Sequence, residues 1–311
     1  MPLPPLDNIN TVAVIGCGSI GAGWAAQFLL KGIKVKAYDP DRDREHALRA
    51  TLDRALDLLA TDPDIAAQAQ NSLTFCASML EAIQGAQFVQ ECVPERLDLK
   101  HATLAEIDAL CSPDIVVASS TSGITASRLQ SACAQPSRLV VGHPFHPVYL
   151  VPLVEVVGGA LTNPVVLDWS MAFYRQIGKS PLLCRGEIQG HIANRLQTAV
   201  AEEALRLIDA GIASTADIDQ AVTDGPGFRW STIGPMLTWH LASSKGIEAV
   251  MEGEFGFSLD EIDCLSHTDG GKSLTEKVVQ SSKQQVAGQS RAQLEDQRDR
   301  FLAKLLTLRQ D

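Results

Sequence analysis

The sequence predicts an α/β fold in which a doubly wound, mainly parallel sheet is followed by an all-helical C-terminal domain. From Thr11 to about Gly186, short apolar runs alternate with helix-length amphipathic stretches, as strands and crossover helices do. After Gly190, strand-like runs nearly vanish and helical periodicity takes over. We therefore expect two domains, residues 1–187 and residues 188–311.

The elements follow one another along the chain in this order. The candidate strands are Thr11–Gly16, Lys34–Tyr38, Ser72–Cys76, Phe88–Val93, Asp114–Ser119, Leu139–His143 and Leu182–Cys184. The candidate helices are Ile20–Lys31, Arg42–Ala60, Glu95–Leu110, His191–Ala210 and Gln293–Arg309. The segment Ser214-Thr-Ala-Asp217 has the spacing of a capping box, so it predicts the start of a further helix.

Composition is that of an ordinary globular protein, with 45% hydrophobic and 20% charged residues among 311. No window approaches the roughly eighteen consecutive apolar residues that a membrane span needs. The seven cysteines lack C-x-x-C spacing and the first ten residues lack signal-peptide features, so we expect reduced thiols and a cytoplasmic location. The net charge of −11 argues against nucleic acid, whose phosphates require clustered Lys and Arg.

A glycine-rich turn follows the first candidate strand and has the pattern G-x-G-x-x-G. Gly16 would permit the tight turn, Gly18 would let a pyrophosphate approach the backbone, and Gly21 would let helix and sheet pack closely. Ser19 and Ile20 open the following helix, whose unpaired N–H groups attract phosphate. This pattern predicts a Rossmann-type dinucleotide site.

Asp39 ends the second candidate strand, eighteen residues after the last glycine of the turn. A carboxylate there would accept hydrogen bonds from both ribose hydroxyls of NAD and would repel the 2′-phosphate of NADP. Asp39 could alternatively cap the next helix. We expect NAD as the cofactor.

A histidine and an acid lie close together in a largely apolar stretch. His143 ends a candidate strand within Gly142-His-Pro-Phe-His-Pro147, and Glu155 lies in the apolar run 151–158. A buried carboxylate needs a partner, and a histidine held by one is an oriented general base. The pair would accept the proton of an alcohol as the hydride leaves, although a structural histidine is the alternative interpretation.

Several ordered motifs make the chain resemble the 3-hydroxyacyl-CoA dehydrogenase superfamily over nearly its whole length. They are Ser120-Thr-Ser122, His143-Pro-Phe-His-Pro147, Leu153-Val-Glu155-Val and Gly190-His-Ile-Ala-Asn194-Arg195, together with the glycine turn. The resemblance implies that His143 is the base and Glu155 its orienting partner. It also implies that Ser122 and Asn194 hydrogen-bond the reacting oxygen, and that Glu95 and Lys100 lie near the nicotinamide ribose.

Two positions depart from the pattern of that superfamily. His146 stands where the pattern has Asn, and His191 stands where it has Phe. His146 could replace the amide as a donor near the nicotinamide and the substrate, or it could point to solvent. The detailed geometry of the pocket is left open by these two residues.

A free carboxylate is a better candidate substrate than a coenzyme A thioester. Residues 51–64, where basic residues usually meet the phosphates of coenzyme A, contain one Arg among four Asp. The helical domain instead carries Arg229-Trp230, and an arginine between aromatic residues is suited to gripping a carboxylate. Arg229 as an ordinary surface charge is the alternative.

The surrounding pattern resembles the branch of the superfamily that contains the carnitine and gulonate dehydrogenases. That resemblance implies oxidation of the 3-hydroxyl of a small hydroxy acid, with L-carnitine to 3-dehydrocarnitine as the best single substrate. Trp230 and neighbouring aromatic residues would then face the trimethylammonium group. Alternatives are an L-3-hydroxyacyl-CoA dehydrogenase, an L-gulonate 3-dehydrogenase, or an NAD-binding structural protein of the lambda-crystallin kind. We expect no metal, and we expect a homodimer formed through the helical domain.

Overall fold

The computed structural model describes residues 3–60, 62–244 and 288–308. The chain divides into two compact units, one formed by Met1–Asn194 with Glu295–Asp311 and the other by Arg195–Leu294. None of the helices in the described ranges is long and apolar enough to cross a membrane.

The first unit is built on an eight-stranded sheet. Its strands are β1 (Thr11–Ile15), β2 (Lys34–Tyr38), β3 (Leu73–Phe75), β4 (Phe88–Glu91), β5 (Val116–Ser119), β6 (Leu139–Pro144), β7 (Leu153–Gly158) and β8 (Ser180–Cys184). Their order across the sheet is β3-β2-β1-β4-β5-β6-β7-β8, and every neighbouring pair is parallel except β6 and β7. The predicted doubly wound, mainly parallel fold is confirmed.

Helices connect these strands and continue into the second unit. They are α1 (Ser19–Leu30), α2 (Arg44–Leu59), α3 (Pro63–Asn71), α4 (Met79–Ile83), α5 (Leu97–Leu110), α6 (Ala126–Gln130), α7 (Pro164–Gln176), α8 (Ala193–Asp209), α9 (Thr215–Thr223), α10 (Pro226–Trp230), α11 (Pro235–Ala242) and a terminal helix (Arg291–Leu308).

The strand order reverses at β1, which pairs with β2 on one side and β4 on the other. In an open parallel sheet, this reversal leaves a crevice at the carboxyl ends of the strands, where ligands bind. Gly16 follows β1, Asp39 follows β2 and Ser120 follows β5. The topology therefore brings the predicted dinucleotide residues Gly16 and Asp39 to the same edge of the sheet as Ser120.

The core lies on both faces of the sheet. Alternate residues of β1 belong to different clusters, with Val12 and Val14 on one face and Ala13 and Ile15 on the other. A stack of aromatic rings, including Trp24 of α1, fills one of these faces. Because β1 is buried on both sides, the glycine turn that follows it has a rigid base.

The antiparallel strand β7 was absent from the predicted strands, although the sequence analysis recognised its apolar run. Its register places Glu155 directly opposite His143 of β6. A carboxylate in the middle of a buried strand interrupts the pattern that marks a strand in the sequence. It is tolerated because the neighbouring strand supplies a hydrogen-bonding partner.

The terminal helix packs on the first unit, which differs from the predicted inclusion of residues 188–311 in one helical domain. Arg54 of α2 donates to Asp296 at 3.0 Å and to Asp299 at 3.2 Å. Ala303 belongs to the core cluster that contains Trp24. From Glu295 onward, the terminal helix therefore belongs to the first unit and not to the helical unit 195–294 that precedes it in the chain.

The second unit is helical in the part that the structure describes, as predicted. The capping box at Ser214 and Asp217 is present at the start of α9. Helix α8 begins at Ala193, two residues later than predicted, because Gly190 and His191 have φ values of +79° and +51°. A left-handed backbone cannot continue an α-helix, so these two residues set its start.

Candidate active site

A cleft of about 780 Å³ opens at the carboxyl ends of β1, β2, β4, β5 and β6. Its walls contain most of the predicted cofactor and catalytic residues of the first unit. They include Gly16, Gly18, Ser19, Ile20, Asp39, Glu95, Lys100, Ser122 and His143.

The glycines of the turn meet three different steric demands. A Cβ on Gly16 would lie 2.7 Å from the backbone carbon of Cys92, and a Cβ on Gly21 would lie 1.8 Å from the carbonyl oxygen of Gly16. Gly18 is different, because a Cβ there would meet no described atom within 4 Å and would project into open space. Since Gly18 lines the cleft, that space fits a pyrophosphate lying against the backbone.

Asp39, which follows β2, is held in a fixed orientation beside the glycine turn. One of its oxygens accepts the Cys17 N–H at 2.7 Å, and the other accepts the Asp41 N–H at 2.9 Å. The N-cap residue of α2 is Asp43, so Asp39 does not serve as the cap of that helix. Each carboxylate oxygen keeps a further lone pair that a ribose hydroxyl can use.

Glu95 ties the loop after β4 to the loop after β5. Its Oε1 accepts from the Thr121 hydroxyl at 2.5 Å and from the N–H groups of Ser122 and Gly123 at 3.1 and 2.8 Å. Burial raises the pKa of the Glu95 carboxyl, but these hydrogen bonds and the charge of Lys100 outweigh burial and hold that pKa below its ordinary value. Glu95 is therefore ionised at neutral pH.

Lys100 is a buried cation beneath the same loops. Its ammonium donates to both carboxylate oxygens of Glu91, at 2.9 and 3.2 Å, and to the Val93 carbonyl at 3.0 Å. Its Nζ lies 3.6 Å from Glu95. Lys100 was among the predicted site residues and Glu91 was not. An acid in the largely apolar run 88–92 is nevertheless the same kind of signal as Glu155 in the run 151–158.

His143, the predicted base, is paired with Glu155. His143 Nδ1 lies 2.9 Å from Glu155 Oε2, and the two residues are 5% and 0% exposed. Since an ionised carboxylate only accepts hydrogen bonds, Nδ1 carries the proton and Nε2 is left as the basic nitrogen. This tautomer is the one that a proton-accepting histidine requires.

The second oxygen of Glu155 is bound by the backbone that starts α8. Glu155 Oε1 accepts the N–H groups of Ile192 at 2.8 Å and Ala193 at 2.9 Å. Burial raises the pKa of the Glu155 carboxyl, but the hydrogen bonds from His143, Ala193 and Ile192 outweigh burial and lower it below its ordinary value. A helix N-terminus thus helps to keep the buried partner of the base ionised.

The remaining predicted site residues lie in several places. Ser122 lines the cleft with His143, whereas Asn194 lies in the first turn of α8 and His146 is exposed, both outside the lining of the cleft. Arg229 and Trp230 end α10 and are exposed in the second unit.

His191, which departs from the family pattern in the sequence, is a close neighbour of His143. Its ring is 2% exposed, and its centroid lies 5.1 Å from that of His143. Its Nε2 lies 3.3 Å from the Thr121 carbonyl oxygen. Burial lowers the pKa of His191 below its ordinary value, so the ring is neutral beside the base.

A cleft with a dinucleotide turn, lined at one end by a histidine that a buried carboxylate orients, is typical of an NAD-dependent dehydrogenase. Residues 11–188 match the NAD-binding domain of 3-hydroxyacyl-CoA dehydrogenases, and residues 190–287 match the C-terminal domain of the same proteins. The chain belongs to the 3-hydroxyacyl-CoA dehydrogenase family, and NAD is its cofactor.

Similar proteins cover nearly the whole chain. The L-carnitine dehydrogenase of Streptomyces coelicolor is 43% identical over 301 residues, which cover 96% of this chain and 95% of that protein. The L-carnitine dehydrogenase of Bacillus cereus is 40% identical over 303 residues, which cover 97% of this chain and 93% of that protein.

Two solved structures share the fold to different extents. The NAD⁺-dependent dismutase 5-formyl-3-hydroxy-2-methylpyridine 4-carboxylic acid 5-dehydrogenase superposes with a TM-score of 0.79 at 28% identity, covering 97% of each chain. The 3-hydroxybutyryl-CoA dehydrogenase of Escherichia coli superposes with a TM-score of 0.65 at 28% identity, covering 80% of this chain and 52% of that chain.

Proposed function

We propose that this protein oxidises the 3-hydroxyl of L-carnitine to give 3-dehydrocarnitine. The observation that carries the proposal is the His143–Glu155 pair at the cofactor cleft, because it supplies an oriented base for a hydroxyl proton. The substrate is supported by two relatives named L-carnitine dehydrogenase, which are 43% and 40% identical to this chain over nearly their full length.

The proton of the substrate hydroxyl passes to Nε2 of His143. Glu155 stabilises the resulting imidazolium, and the N–H groups of Ile192 and Ala193 keep Glu155 in its charged form. NAD, when bound, accepts the hydride. Ser122 and Asn194 donate hydrogen bonds to the reacting oxygen, and their hydroxyl and amide groups suit a developing carbonyl.

Arg229 binds the substrate carboxylate, and Trp230 faces its trimethylammonium group. A guanidinium can grip a carboxylate with two hydrogen bonds, whereas a quaternary ammonium cannot donate any and is bound by an aromatic face. The proposal is supported by the position of both residues at the end of α10, where neither is buried.

The thioester alternative is disfavoured by the surroundings of Arg54. This residue is the one arginine of the stretch 51–64, and its guanidinium is already bound to Asp296 and Asp299. Its charge is therefore neutralised rather than available to a coenzyme A phosphate. A purely structural role, as in a crystallin, is disfavoured by the intact hydrogen bond between His143 and Glu155.

The decisive assay compares NADH formation from L-carnitine, D-carnitine, L-gulonate, 3-hydroxybutyrate and 3-hydroxybutyryl-CoA under identical conditions. We expect the highest kcat/KM with L-carnitine. Activity confined to the thioester would contradict both the substrate and the role of Arg229, and activity confined to L-gulonate would replace L-carnitine by a sugar acid.

Arg229→Met isolates the contact with the carboxylate. Loss of a charge-assisted hydrogen bond should raise KM for L-carnitine roughly 10- to 100-fold while the Kd of NAD is unchanged. Arg49→Met, which removes an exposed guanidinium paired with Glu45, is the matched control. An unchanged KM in Arg229→Met would exclude this arginine from the substrate site.

We also propose a cytoplasmic homodimer assembled through the helical unit. The unit exposes large apolar side chains, among them Leu196, Val200, Phe228 and Leu241. Such surfaces favour association between copies. The six cysteines in the described part of the chain are all free thiols, which is consistent with a reducing compartment. Light scattering of the purified protein tests the dimer, and a monomeric mass at micromolar concentration would exclude it.

A further inference from the structure

Ser120 occupies a central position in the cleft that no part of the proposed mechanism uses. It follows β5, is half-buried, and lines the cleft together with Gly16, Ser122 and His143. Because β5 lies between β1 and β6 in the sheet, Ser120 lies between the glycine turn that follows β1 and His143 of β6. A polar group here faces the nicotinamide half of a dinucleotide that extends from the turn to His143.

Two buried side chains donate hydrogen bonds to the Ser120 oxygen. The indole Nε1 of Trp24 donates to Ser120 Oγ at 3.2 Å, and an indole nitrogen can only donate. Gln90 Nε2 also donates to Ser120 Oγ, at 2.9 Å. A hydroxyl oxygen has two lone pairs, so these two bonds fill its accepting capacity.

The orientation of the Gln90 amide is itself determined by its neighbours. Nε2 lies 3.5 Å from the carbonyl oxygen of Gly142, which can only accept, and Oε1 accepts the Tyr174 hydroxyl at 2.9 Å. Burial raises the pKa of Tyr174 well above its ordinary value, so its hydroxyl keeps the proton that it donates. A Cβ on Gly142 would lie 2.0 Å from the Tyr174 oxygen, so glycine is required before His143.

The Ser120 hydroxyl can consequently act only as a donor. Among its contacts in the structure, the Cys92 sulfur at 3.2 Å is the partner left for its hydrogen. Burial raises the pKa of the Cys92 thiol to about 12, so the sulfur is uncharged and a weak acceptor. A ligand oxygen would be a stronger partner for the same hydrogen.

We propose that Ser120 is a cofactor-binding residue that donates a hydrogen bond to an acceptor oxygen on the nicotinamide nucleoside of NAD. The buried chain Tyr174–Gln90–Ser120, with Trp24, sets the direction of that donor. The acceptor is the carboxamide oxygen or a ribose oxygen, which share this chemistry. The proposal rests on the NAD site and not on the identity of the substrate.

Ser120→Ala tests the proposal through binding affinity. Dissociation constants are measured without substrate, by calorimetry, for NAD, thionicotinamide adenine dinucleotide, ADP-ribose and ADP. Loss of one neutral hydrogen bond should raise the Kd of NAD roughly 3- to 10-fold. A loss confined to NAD identifies the carboxamide oxygen, because sulfur is a weak acceptor. A loss shared by the thio analogue and ADP-ribose identifies the ribose.

The Kd of ADP, which lacks the nicotinamide nucleoside, should be the same in wild type and variant. Ser120→Thr keeps the donor and should restore most of the affinity for NAD. An unchanged Kd of NAD in Ser120→Ala, or an equal loss for ADP, would overturn the proposal. Failure of L-carnitine oxidation would leave these binding results unaffected, so the two proposals can fail separately.

Discussion

Glu155 Oε2 lies 2.9 Å from Nδ1 of His143, on directly opposed residues of the antiparallel strands β6 and β7. The register of two strands thereby sets the distance between the histidine and its carboxylate partner. The residues that flank His143 and Glu155 in both strands are buried, so the strands cannot shift easily. Side chains on such strands are held in place more tightly than side chains on loops.

His143→Gln should abolish most of the activity without preventing cofactor binding. Glutamine keeps a polar group but cannot accept the hydroxyl proton, so kcat should fall by about 10²- to 10⁴-fold. Steady-state NADH formation and the Kd of NAD are the two measurements. His46→Gln, at an exposed position of α2, should behave as wild type. Unchanged turnover in His143→Gln would refute the assignment of the base.

Glu155→Gln should alter how stability depends on pH. Hydrogen bonds hold the folded-state pKa of Glu155 below its ordinary value, so the carboxylate stabilises the fold fully above the ordinary pKa and loses this contribution as the pH falls through the lowered pKa. At neutral pH the variant should be less stable by about 1–3 kcal/mol. The difference should shrink below about pH 4 in urea unfolding. A difference that stays constant with pH would contradict the lowered pKa.

Asp39→Ser should weaken NAD binding and reduce discrimination against NADP. The carboxylate accepts hydrogen bonds from the ribose hydroxyls and repels a 2′-phosphate. Its loss should therefore raise the Kd of NAD roughly 10-fold and reduce the ratio between the Kd of NADP and the Kd of NAD. Asp43→Ser is the matched control, because it removes a nearby exposed carboxylate outside the lining of the cleft. Equal effects of the two substitutions would indicate a general charge effect rather than contact with the ribose.

Because of Lys179, the free energy of unfolding should increase as the pH rises above neutrality. Burial, with a smaller effect of Lys31, lowers the pKa of Lys179 from 10.5 to about 7. The unfolded state binds more protons than the folded state between these values, so the free energy of unfolding should increase with pH there. Lys179→Met should lack this increase in urea unfolding, whereas Lys34→Met, at an exposed position, should keep it. Parallel pH profiles for wild type and Lys179→Met would contradict the prediction.

Local sequence was sufficient to predict the glycine turn and the contact between His143 and Glu155. Gly16 and Gly18 serve a turn a few residues long, and Glu155 is only twelve residues from His143. Each group carries its own chemical signal, such as an acid within an apolar run. The mainly parallel direction of the strands followed from the alternation of elements, whereas the antiparallel β7 did not.

Contacts between distant parts of the chain were beyond the reach of these patterns. Tyr174 reaches Gln90 across 84 residues, and Arg54 reaches Asp296 across 242. Neither tyrosine nor arginine carries a local signal for its partner, because packing of whole elements decides which side chains meet. The start of α8 was misplaced for a similar reason, since the left-handed His191 belongs to the turn that binds Glu155.

The two N–H groups that hold Glu155 belong to Ile192 and Ala193, whereas His143 and Glu155 both precede residue 188. The two family domains meet in the sequence between residues 188 and 190. The proposed proton acceptor and its carboxylate therefore lie in the range of one family domain, and the N–H groups that keep the carboxylate charged lie in the range of the other. A chimaeric protein that joined this NAD-binding domain to the C-terminal domain of another protein would need an equivalent of the turn at Ile192 and Ala193. Without it, Glu155 would lose the hydrogen bonds that keep it charged beside His143.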